Sequence, residues 1–484
     1  MLELLPGSKE LIYDEQTKAH KLLGGANFIY QGNTMFCENA YYYGETKLLK
    51  AFGNVHIRKS DNVNLFCDTL YYNGNNGIAN MYGNVRAIDS EYKLTTRAMD
   101  YNTRTEQGVY RTGGKIENLL NGEVLTSRVG YFYPNAKNFF FKGNVNFKSK
   151  DIKMTTDTLQ YKYSTRTCYF FGPSNIITDD AVMYCEKGWY NVQTEAGSLM
   201  KNAEIHQTSK IIKGDTLLYN PKTKISEGFG NVHFIDTTDK VAFSGGYALI
   251  NDSLNFSLIR KNALIIKYHS DDTLYMHADT LMNQNDSLGN RLMTHGYHGV
   301  KIFSNTMQAI ADSMTFSRDE ELLELFKNPI VWSKNGELKG DSLKVFMNDS
   351  IISRVYVKNR ATVLMAVDSG LYYNQIGGTE ITAFFKDNEL HQAITVGNAQ
   401  TVFFPTEEQK SDTAKVIVRK GMNRLYASEL KVYLDSGEVT GITYFQQPDG
   451  VFYPMDKIKE SEKLIANFDL KFALRPKSKD DLFD

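Results

Sequence analysis

The chain has 484 residues, and its 55 basic and 56 acidic residues leave a formal net charge of −1. This balance excludes a general electrostatic attraction to nucleic acid or to an anionic membrane surface. Tyr (30) and Phe (28) are frequent, whereas Pro (9) and Trp (2) are scarce. Together with many Asn, Asp, Gly, Thr and Ser residues, this composition is typical of short strands joined by polar turns.

The sequence contains no run of about 18 apolar residues, so it predicts no transmembrane helix. Residues 1–7 lack the basic end and the apolar run of a signal peptide. The composition therefore fits two kinds of chain, a cytosolic protein and a mature chain from which a signal has been removed.

A short pattern recurs along the chain at a spacing of about 30 residues, a period typical of repeat architectures. It consists of a small residue, Asp, Thr or Ser, and Leu or Met. Clear copies begin at Cys67, Thr156, Gly214, Ala278, Ala311 and Gly340. Degenerate copies lie around Cys37, Thr96, Thr126, Cys185, Ser244, Gly378 and Ala427. A chain that repeats one small unit grows in one direction, so we expect an elongated body.

A second pattern, Gly-Asn-Val, alternates with the first. Full copies begin at Gly53, Gly83, Gly143 and Gly230, and weaker copies begin at Lys201, Lys261, Lys327, Lys358 and Gly397. Turn-forming residues separate the two patterns. Each unit is therefore predicted to be two antiparallel strands of roughly 10–12 residues joined by short turns.

The apolar positions of the first pattern predict a bent strand. Leu65 and Cys67 share one parity, whereas Leu70 and Tyr72 share the other. Side chains of a regular strand alternate between faces, so both pairs can be buried together only if a bend or bulge lies near the Asp-Thr step. Stacked bent strands of this kind form two facing sheets with a groove or lumen between them.

Apolar residues of both patterns are the candidates for lining this interior. They are Val55, Leu65, Leu70, Val85, Leu94, Met99, Val145, Met154, Leu159, Ile212, Leu217, Val232, Met276, Leu281, Leu338 and Leu343. The alternating residues, such as His56 and His233, are predicted to face outward. Cys37, Cys67 and Cys185 occupy the small position, where Cys acts as a small buried side chain and not as half of a disulfide.

The repeated Asp residues have two interpretations, a calcium-binding ladder and a set of carboxylates that satisfy backbone groups at the bend. Arg97, Ser127 and Gly245 replace Asp in other units, and a metal ladder would tolerate this poorly. We therefore expect no metal site. The sequence shows no convincing catalytic or nucleotide-binding motif, so we also expect no cofactor and no enzymatic activity.

Tyr residues follow the first pattern in seven consecutive units, at Tyr42, Tyr72, Tyr101, Tyr131, Tyr161, Tyr190 and Tyr219. They are open to two interpretations, a contact surface for carbohydrate or lipid and cross-strand aromatic packing. Packing is favoured for most of them.

Three stretches in register resemble one family. Residues 36–43 (FCENAYYY), 51–57 (AFGNVHI) and 67–72 (CDTLYY) are similar to the OstA-like proteins of the lipopolysaccharide-transport OstA/LptA superfamily, and most similar to its long Bacteroidetes-type members. The resemblance is strongest over residues 10–230 and recurs more weakly to about residue 440.

This resemblance implies an elongated β-jellyroll (β-taco) of stacked antiparallel bent strands. It implies a periplasmic protein, with a removed signal peptide and an association with the outer membrane, that shields the acyl chains of lipopolysaccharide or lipid A during transport to that membrane. The apolar residues given above would line the lipid groove. The implied partners are β-jellyroll domains of an inner-membrane transporter and of an outer-membrane barrel, joined by edge-strand pairing, and not nucleic acid.

Two other functions remain open, a structural or adhesive β-solenoid with a packed interior and a β-helix acting on polysaccharide.

We expect a repeat body over residues 1–440, subdivided near 285–300 and 400–422, where the spacing lengthens. The last strand or strands and a solvated tail follow over 441–484, and residues 457–468 are predicted to form a short amphipathic helix.

Overall fold

The computed structural model describes residues 2–30, 32–59, 63–133, 138–268, 272–286, 291–333, 336–348, 351–386, 389–410, 415–435, 438–466 and 468–483. The chain divides into two compact units, Met1–Ser226 and Glu227–Asp484. Both units consist of antiparallel strands, and the described residues include short 3₁₀ turns but no α-helix. The predicted all-β fold of stacked antiparallel strands is therefore confirmed. No described helix is long and apolar enough to cross a membrane.

The strands of unit 1 are joined by connections of a few residues. They are β1 (Leu2–Leu4), β2 (Glu10–Asp14), β3 (Ala19–Leu23), β4 (Ala26–Tyr30), β5 (Asn33–Cys37), β6 (Asn39–Tyr43), β7 (Leu48–Arg58), β8 (Asn64–Asn73), β9 (Ile78–Ile88), β10 (Tyr92–Asn102), β11 (Gln107–Tyr110), β12 (Gly114–Asn118), β13 (Val124–Ser127), β14 (Val129–Tyr133), β15 (Asn138–Lys148), β16 (Lys153–Lys162), β17 (Thr167–Ile177), β18 (Val182–Asn191), β19 (Gly197–His206) and β20 (Lys210–Asn220).

The strands of unit 2 are longer on average. They are β21 (Ile225–Asp236), β22 (Val241–Asn251), β23 (Phe256–Tyr268), β24 (Thr273–Asn285), β25 (Arg291–Phe303), β26 (Gln308–Ser317), β27 (Leu322–Phe326), β28 (Ile330–Trp332), β29 (Gly336–Lys339), β30 (Ser342–Asn348), β31 (Ile351–Val367), β32 (Tyr372–Lys386), β33 (Glu389–Phe403), β34 (Thr406–Lys410), β35 (Lys415–Arg419), β36 (Gly421–Asp435), β37 (Glu438–Phe445) and β38 (Asp449–Pro454).

Within each unit, most long strands pair with the next along the chain, and the pairing of most of these strands shifts near the middle. In β7 and β8, Val55 lies opposite Cys67 and Phe52 lies opposite Thr69, so Gly53 and Asn54 together oppose a single residue. This is a β-bulge, which bends the strand. The predicted bend is present, and the extra residue comes from the Gly-Asn step of one strand opposite the Asp-Thr step of its neighbour.

The bulge explains why the two sequence patterns occur together. Gly83 and Asn84 both have positive φ, +73° and 45°, a conformation that Gly and Asn tolerate best. The Asn84 side chain donates a hydrogen bond of 2.9 Å to Asp68 on the neighbouring strand. A Cβ added to Gly83 would lie 2.2 Å from the same carboxylate. The aspartate of one pattern therefore fixes the Gly-Asn step of the other.

The bulges divide each unit into two sheets. In unit 1, sheet 1 contains segments such as 48–52 and 69–73, and sheet 2 contains segments such as 55–58 and 64–67. One hydrophobic core cluster joins buried residues from both sheets, including Leu49 and Leu70 from sheet 1 and Val55 and Leu65 from sheet 2. The two sheets therefore face each other across this core. We call the edge opposite the bulges the mouth.

The C-terminal residues differ from the prediction of a solvated tail. Ile465 and Leu482 are buried, and 3₁₀ turns at Met455–Lys457 and Glu460–Glu462 stand where a helix was predicted. The physical reason is that the apolar residues of this segment pack on the outer face of sheet 2 of unit 2, around Val402, Phe404 and Met422.

The expected subdivisions are only partly within the described residues. Residues 287–290, in the first of them, lie outside the described ranges. In the second, β34 and β35 form a separate two-stranded sheet. The boundary at Ser226 was not predicted, because the sequence repeat continues across it.

Candidate functional site

The interior of unit 1 brings together most of the predicted groove residues. The buried members of its core cluster include Val55, Leu65, Leu70, Val85, Leu94, Met99, Val145, Met154, Leu159 and Leu217, and Ile212 packs against them while partly exposed. The outward assignment also agrees with the structure, since His56 stacks on Phe66 with ring centroids 4.3 Å apart. The apolar side chains therefore form one continuous layer between the two sheets.

Unit 2 contains a second interior of the same kind. Leu281 and Leu343 belong to its core cluster, and Met276 and Leu338 pack against that cluster while partly exposed. Val232 is buried, whereas the following His233 is exposed. All the predicted residues therefore face the interior of their unit or lie at its margin.

The interior is filled by these side chains. Leu70, Leu159 and Leu281 are at most 1% exposed. A cavity of about 20 Å³ lies beside Tyr92 and Phe147 in unit 1, which is room for about one water molecule. An acyl chain can occupy this space only if the sheets move apart or the side chains rearrange.

The small position of the first pattern lies where the two sheets meet. Cys185, Ala278 and Cys67 are 0%, 0% and 4% exposed, and a Cβ on Gly340 would lie 2.4 Å from Val357 Cγ1. Burial raises the thiol pKa of Cys67 to about 12 and that of Cys185 to about 11. The four cysteines are free thiols, and their burial disfavours the reactive thiolate.

Contacts between the two sheets close the mouth of unit 1. Lys59 Nζ, beyond the end of a sheet 2 segment, donates a hydrogen bond of 3.1 Å to the Tyr101 hydroxyl in sheet 1. Nearby, the rings of Tyr30 and Tyr72 lie 5.4 Å apart in an edge-to-face arrangement. The mouth is therefore bridged by side chains at successive levels of the stack.

An ion pair between Glu123 and Arg166 is the most buried of these bridges. Glu123 lies between β12 and β13 at the end of sheet 2, and Arg166 lies between β16 and β17 at the end of sheet 1. The Arg166 guanidinium donates to Glu123 Oε1, and the Tyr161 hydroxyl donates to Glu123 Oε2 at 3.3 Å. The Glu123 side chain is 5% exposed, whereas that of Arg166 is 34% exposed. We call this contact the mouth ion pair.

Aromatic rings pack beside the mouth ion pair. Tyr92 lies 5.4 Å from Tyr163, and Phe139 lies 5.7 Å from Tyr163, measured between ring centroids. Burial raises the pKa of Tyr92 to about 12. This closure was not predicted from the sequence, because Glu123 and Arg166 lie in turns outside both repeated patterns and are 43 residues apart.

The repeated carboxylates at the bends have protein partners. Glu38 accepts a hydrogen bond of 2.7 Å from Asn54, and Glu186 accepts one of 2.8 Å from Asn202. In unit 2 the partner is cationic, since Lys327 Nζ lies 2.9 Å from Asp312. Within the described ranges, no three His, Cys, Asp or Glu side chains gather in a group that could hold a metal ion. The contacts at these carboxylates are structural.

Most tyrosines of the repeated series face the interior. Tyr72, Tyr161 and Tyr190 are buried, and Tyr42 and Tyr101 pack against the core. Burial raises the pKa of Tyr190 above its ordinary value. Two members depart from this arrangement: Tyr131 alternates with the buried Gly130 and so faces away from the core, and Tyr219 is 42% exposed. This placement favours the packing interpretation for the inward-facing members.

The first strands of unit 1 leave sheet edges unpaired. β1 pairs with β4, and β2 pairs with β3; within the described residues neither strand has a second partner. Leu11, Ile12 and Tyr13 on β2 are 55%, 44% and 51% exposed. An exposed apolar edge of this kind can accept a further strand.

The last strands of unit 2 form a similar edge. β37 and β38 both pair with β36, and Val451 and Phe452 on β38 are 51% and 50% exposed. The described tail residues lie on the outer face of sheet 2 of this unit.

Comparison with known proteins agrees with this architecture. Residues 5–157 match the model of a family described as OstA-like protein, and this match supports membership in the OstA/LptA-like superfamily. The match also supports a role in lipid or lipopolysaccharide transport and a location in the cell envelope. No curated protein matches the chain.

Proposed function

We propose that the chain is a non-enzymatic lipid conduit that shields the acyl chains of lipopolysaccharide or lipid A. The observation that carries this proposal is the continuous apolar layer between two sheets, formed by residues such as Leu70, Met99 and Leu159. An acyl chain exposed to water costs about 0.8 kcal/mol per CH₂ group. An apolar interior removes this cost while the sugars of the lipid stay in water.

The repeat gives the conduit a nearly uniform affinity along its length. Each sequence repeat places an aliphatic residue at an equivalent position. Leu70 and Leu159 are two such residues within unit 1. A lipid therefore meets similar surroundings at successive levels, and no deep local site traps it. The direction of movement comes from partner proteins.

The closed mouth means that lipid loading includes an opening step. The mouth ion pair and the rings of Tyr92 and Tyr163 join the two sheets. Separating them widens the space in which the apolar side chains are packed. We place the first opening beside the mouth ion pair, because the interior there already contains a small cavity.

The proposed location is the periplasm, in association with the outer membrane. The partners are β-jellyroll domains of an inner-membrane transporter and of an outer-membrane barrel, which add strands to the edges of β2 or β38. An Ile12→Pro variant removes one main-chain donor from β2 and disfavours strand addition. We expect this variant to lose partner binding in a pull-down with such a domain, while Ile12→Ala, which keeps the main-chain donor, retains it.

A structural scaffold is the second candidate function. The specific observation in its favour is the filled interior, with Leu159 and Leu281 at 0% exposure. A scaffold needs this packing for stability and never opens, whereas a conduit must replace some of these contacts with lipid.

A lipid-binding assay distinguishes the two functions. We expect labelled lipopolysaccharide to bind the purified full chain and unlabelled lipid A to compete with it. Leu159→Asp places a charge in the interior and should abolish binding, whereas Tyr71→Asp, on the exposed outer face of the same sheet, should leave binding unchanged. A folded chain that binds no lipopolysaccharide would favour the scaffold.

A further inference from the structure

The outer face of sheet 2 in unit 2 carries a row of residues that lie directly opposite one another across seven strands. Strand pairing places them in the order Gln308, Trp332, Glu337, Leu364, Gln375, Val402 and Arg424. Polar and apolar residues alternate along this cross-strand row. Trp332, Leu364 and Val402 are all 0% exposed, although they lie on the face that points away from the core between the sheets.

The C-terminal segment, residues 462–466 and 468–483, covers this row. It starts near Arg424, whose guanidinium donates to the main-chain oxygens of Glu462 and Leu464 at 2.6 and 2.9 Å. It ends near β24, where the ring of Phe483 lies 4.9 Å from that of His277. The segment therefore crosses the strands and does not join the sheet as another strand.

Three of the four polar residues of the row bind the main chain of the segment, and the fourth, Gln308, accepts a hydrogen bond of 2.7 Å from the Arg475 side chain. Gln375 donates to the Lys463 carbonyl at 2.6 Å and accepts from the Ile465 amide at 2.9 Å. Glu337 accepts from the Lys471 amide at 2.9 Å and from the Trp332 indole at 3.0 Å. These contacts recognise an extended peptide largely independently of its side chains.

A few side chains of the segment supply anchors. Ile465 is 3% exposed and Leu482 is 0% exposed, whereas Leu464 and Leu474 are 41% and 54% exposed. Pro476 is also buried, and Phe468 packs against the cluster around Ile465. A segment that does not join the strand ladder opens at lower free-energy cost than the strands of a core. The site is built into the sheet, and its ligand is held by a small number of anchors and by main-chain hydrogen bonds.

We propose that the cross-strand row is a peptide-binding site whose ligand, the C-terminal segment, is exchangeable, so that the same segment from a second copy of this chain also occupies it. A second copy carries an identical sequence and makes identical contacts, which makes exchange between copies inexpensive in free energy. The short connection to β38 gives the chain's own segment a high effective concentration, so exchange is rare until that connection is cut. This inference is independent of lipid binding.

The test uses the full chain with a protease site in place of residues 459–461, all of which are exposed. After cleavage, we expect the segment to remain bound and a fluorescent synthetic peptide of residues 462–484 to replace it, as measured by fluorescence anisotropy. A peptide with Ile465→Asp should bind at least tenfold more weakly. A peptide with Leu474→Asp is the matched control and should bind like the unmodified peptide.

A second measurement tests exchange between copies. An acceptor chain with Ile465→Asp should form a complex with a labelled wild-type chain, detected by native mass spectrometry, whereas an acceptor with Leu474→Asp should not. The proposal is overturned if the cleaved segment cannot be replaced by peptide, if the two modified peptides bind equally well, or if the Ile465→Asp acceptor forms no complex.

Discussion

Breaking the mouth ion pair should destabilise unit 1 far more than breaking an exposed ion pair. In an Arg166→Gln variant, Glu123 keeps a carboxylate that is 5% exposed, with the Tyr161 hydroxyl as its remaining donor among the described contacts. Removing one partner of a buried pair typically costs about 3–5 kcal/mol. Because Arg166 is 34% exposed, we expect about 3 kcal/mol.

The matched control is Arg111→Gln. Arg111 lies 2.7 Å from Asp100, but the two side chains are 59% and 44% exposed, so this pair should contribute at most about 1 kcal/mol. Urea denaturation of both variants measures the difference. A Glu123→Gln/Arg166→Gln double variant should recover about 2 kcal/mol, because no uncompensated charge remains.

The same variants test the opening of the mouth. Since the ion pair joins the two sheets, Arg166→Gln and the double variant should bind labelled lipopolysaccharide faster than wild type, whereas Arg111→Gln should not. The reasoning would be refuted if Arg166→Gln and Arg111→Gln had equal stabilities and equal association rates.

Three further outcomes follow from the structure. Gly83→Ala should lower the free energy of unfolding by about 2–4 kcal/mol, because a Cβ there meets a carboxylate at positive φ; Lys261→Gly, at φ 63°, should instead raise it by up to about 1 kcal/mol in the same urea titration. Gly340→Phe should cost more than 1–3 kcal/mol, the usual cost of overpacking, and an unchanged melting temperature would show that this position is exposed. Burial raises the pKa of Tyr92 and Tyr110 to about 12, so the unfolded chain releases these protons near pH 10 and stability should fall as pH rises from about 10 to 12; a constant urea midpoint across that range would contradict this.

The sequence predicted which side chains of each strand point into the core. This was possible because the alternation of apolar and polar residues and the position of the bulge depend on local residue types. Leu65 and Leu70 have opposite parity, and the bend required to bury both is present. The pattern did not reveal which of the two paired strands carries the extra residue of the bulge. The Gly-Asn step was a usable signal for that strand, because Gly and Asn tolerate the positive φ that Asn54 and Asn84 adopt.

The distance between the sheets and the contacts at their mouth could not be predicted in this way. Periodicity indicates which side chains face inward, but it does not determine how closely two sheets approach. Glu123 and Arg166 come together because the turn between β12 and β13 and the turn between β16 and β17 lie close to each other at the mouth. No repeated pattern in the sequence marks either turn.

The C-terminal segment shows a different difficulty. Its charged residues suggested a solvated tail, yet Ile465 and Leu482 are buried. The row beneath it gave a signal, since Trp332, Leu364 and Val402 are apolar residues on an outward-facing side of their strands. Apolar residues on an outer face indicate that another segment covers them.

Site-specific photo-crosslinking to lipid is the most direct test of the proposed conduit. A photoreactive residue at Leu70, Leu159 or Leu217 lies between the two sheets, whereas one at His56 or His233 lies on the outer face. The proposal predicts that the three inner positions capture lipopolysaccharide and the two outer positions do not. Equal capture at inner and outer positions, or capture at none of them by a folded chain, would contradict it.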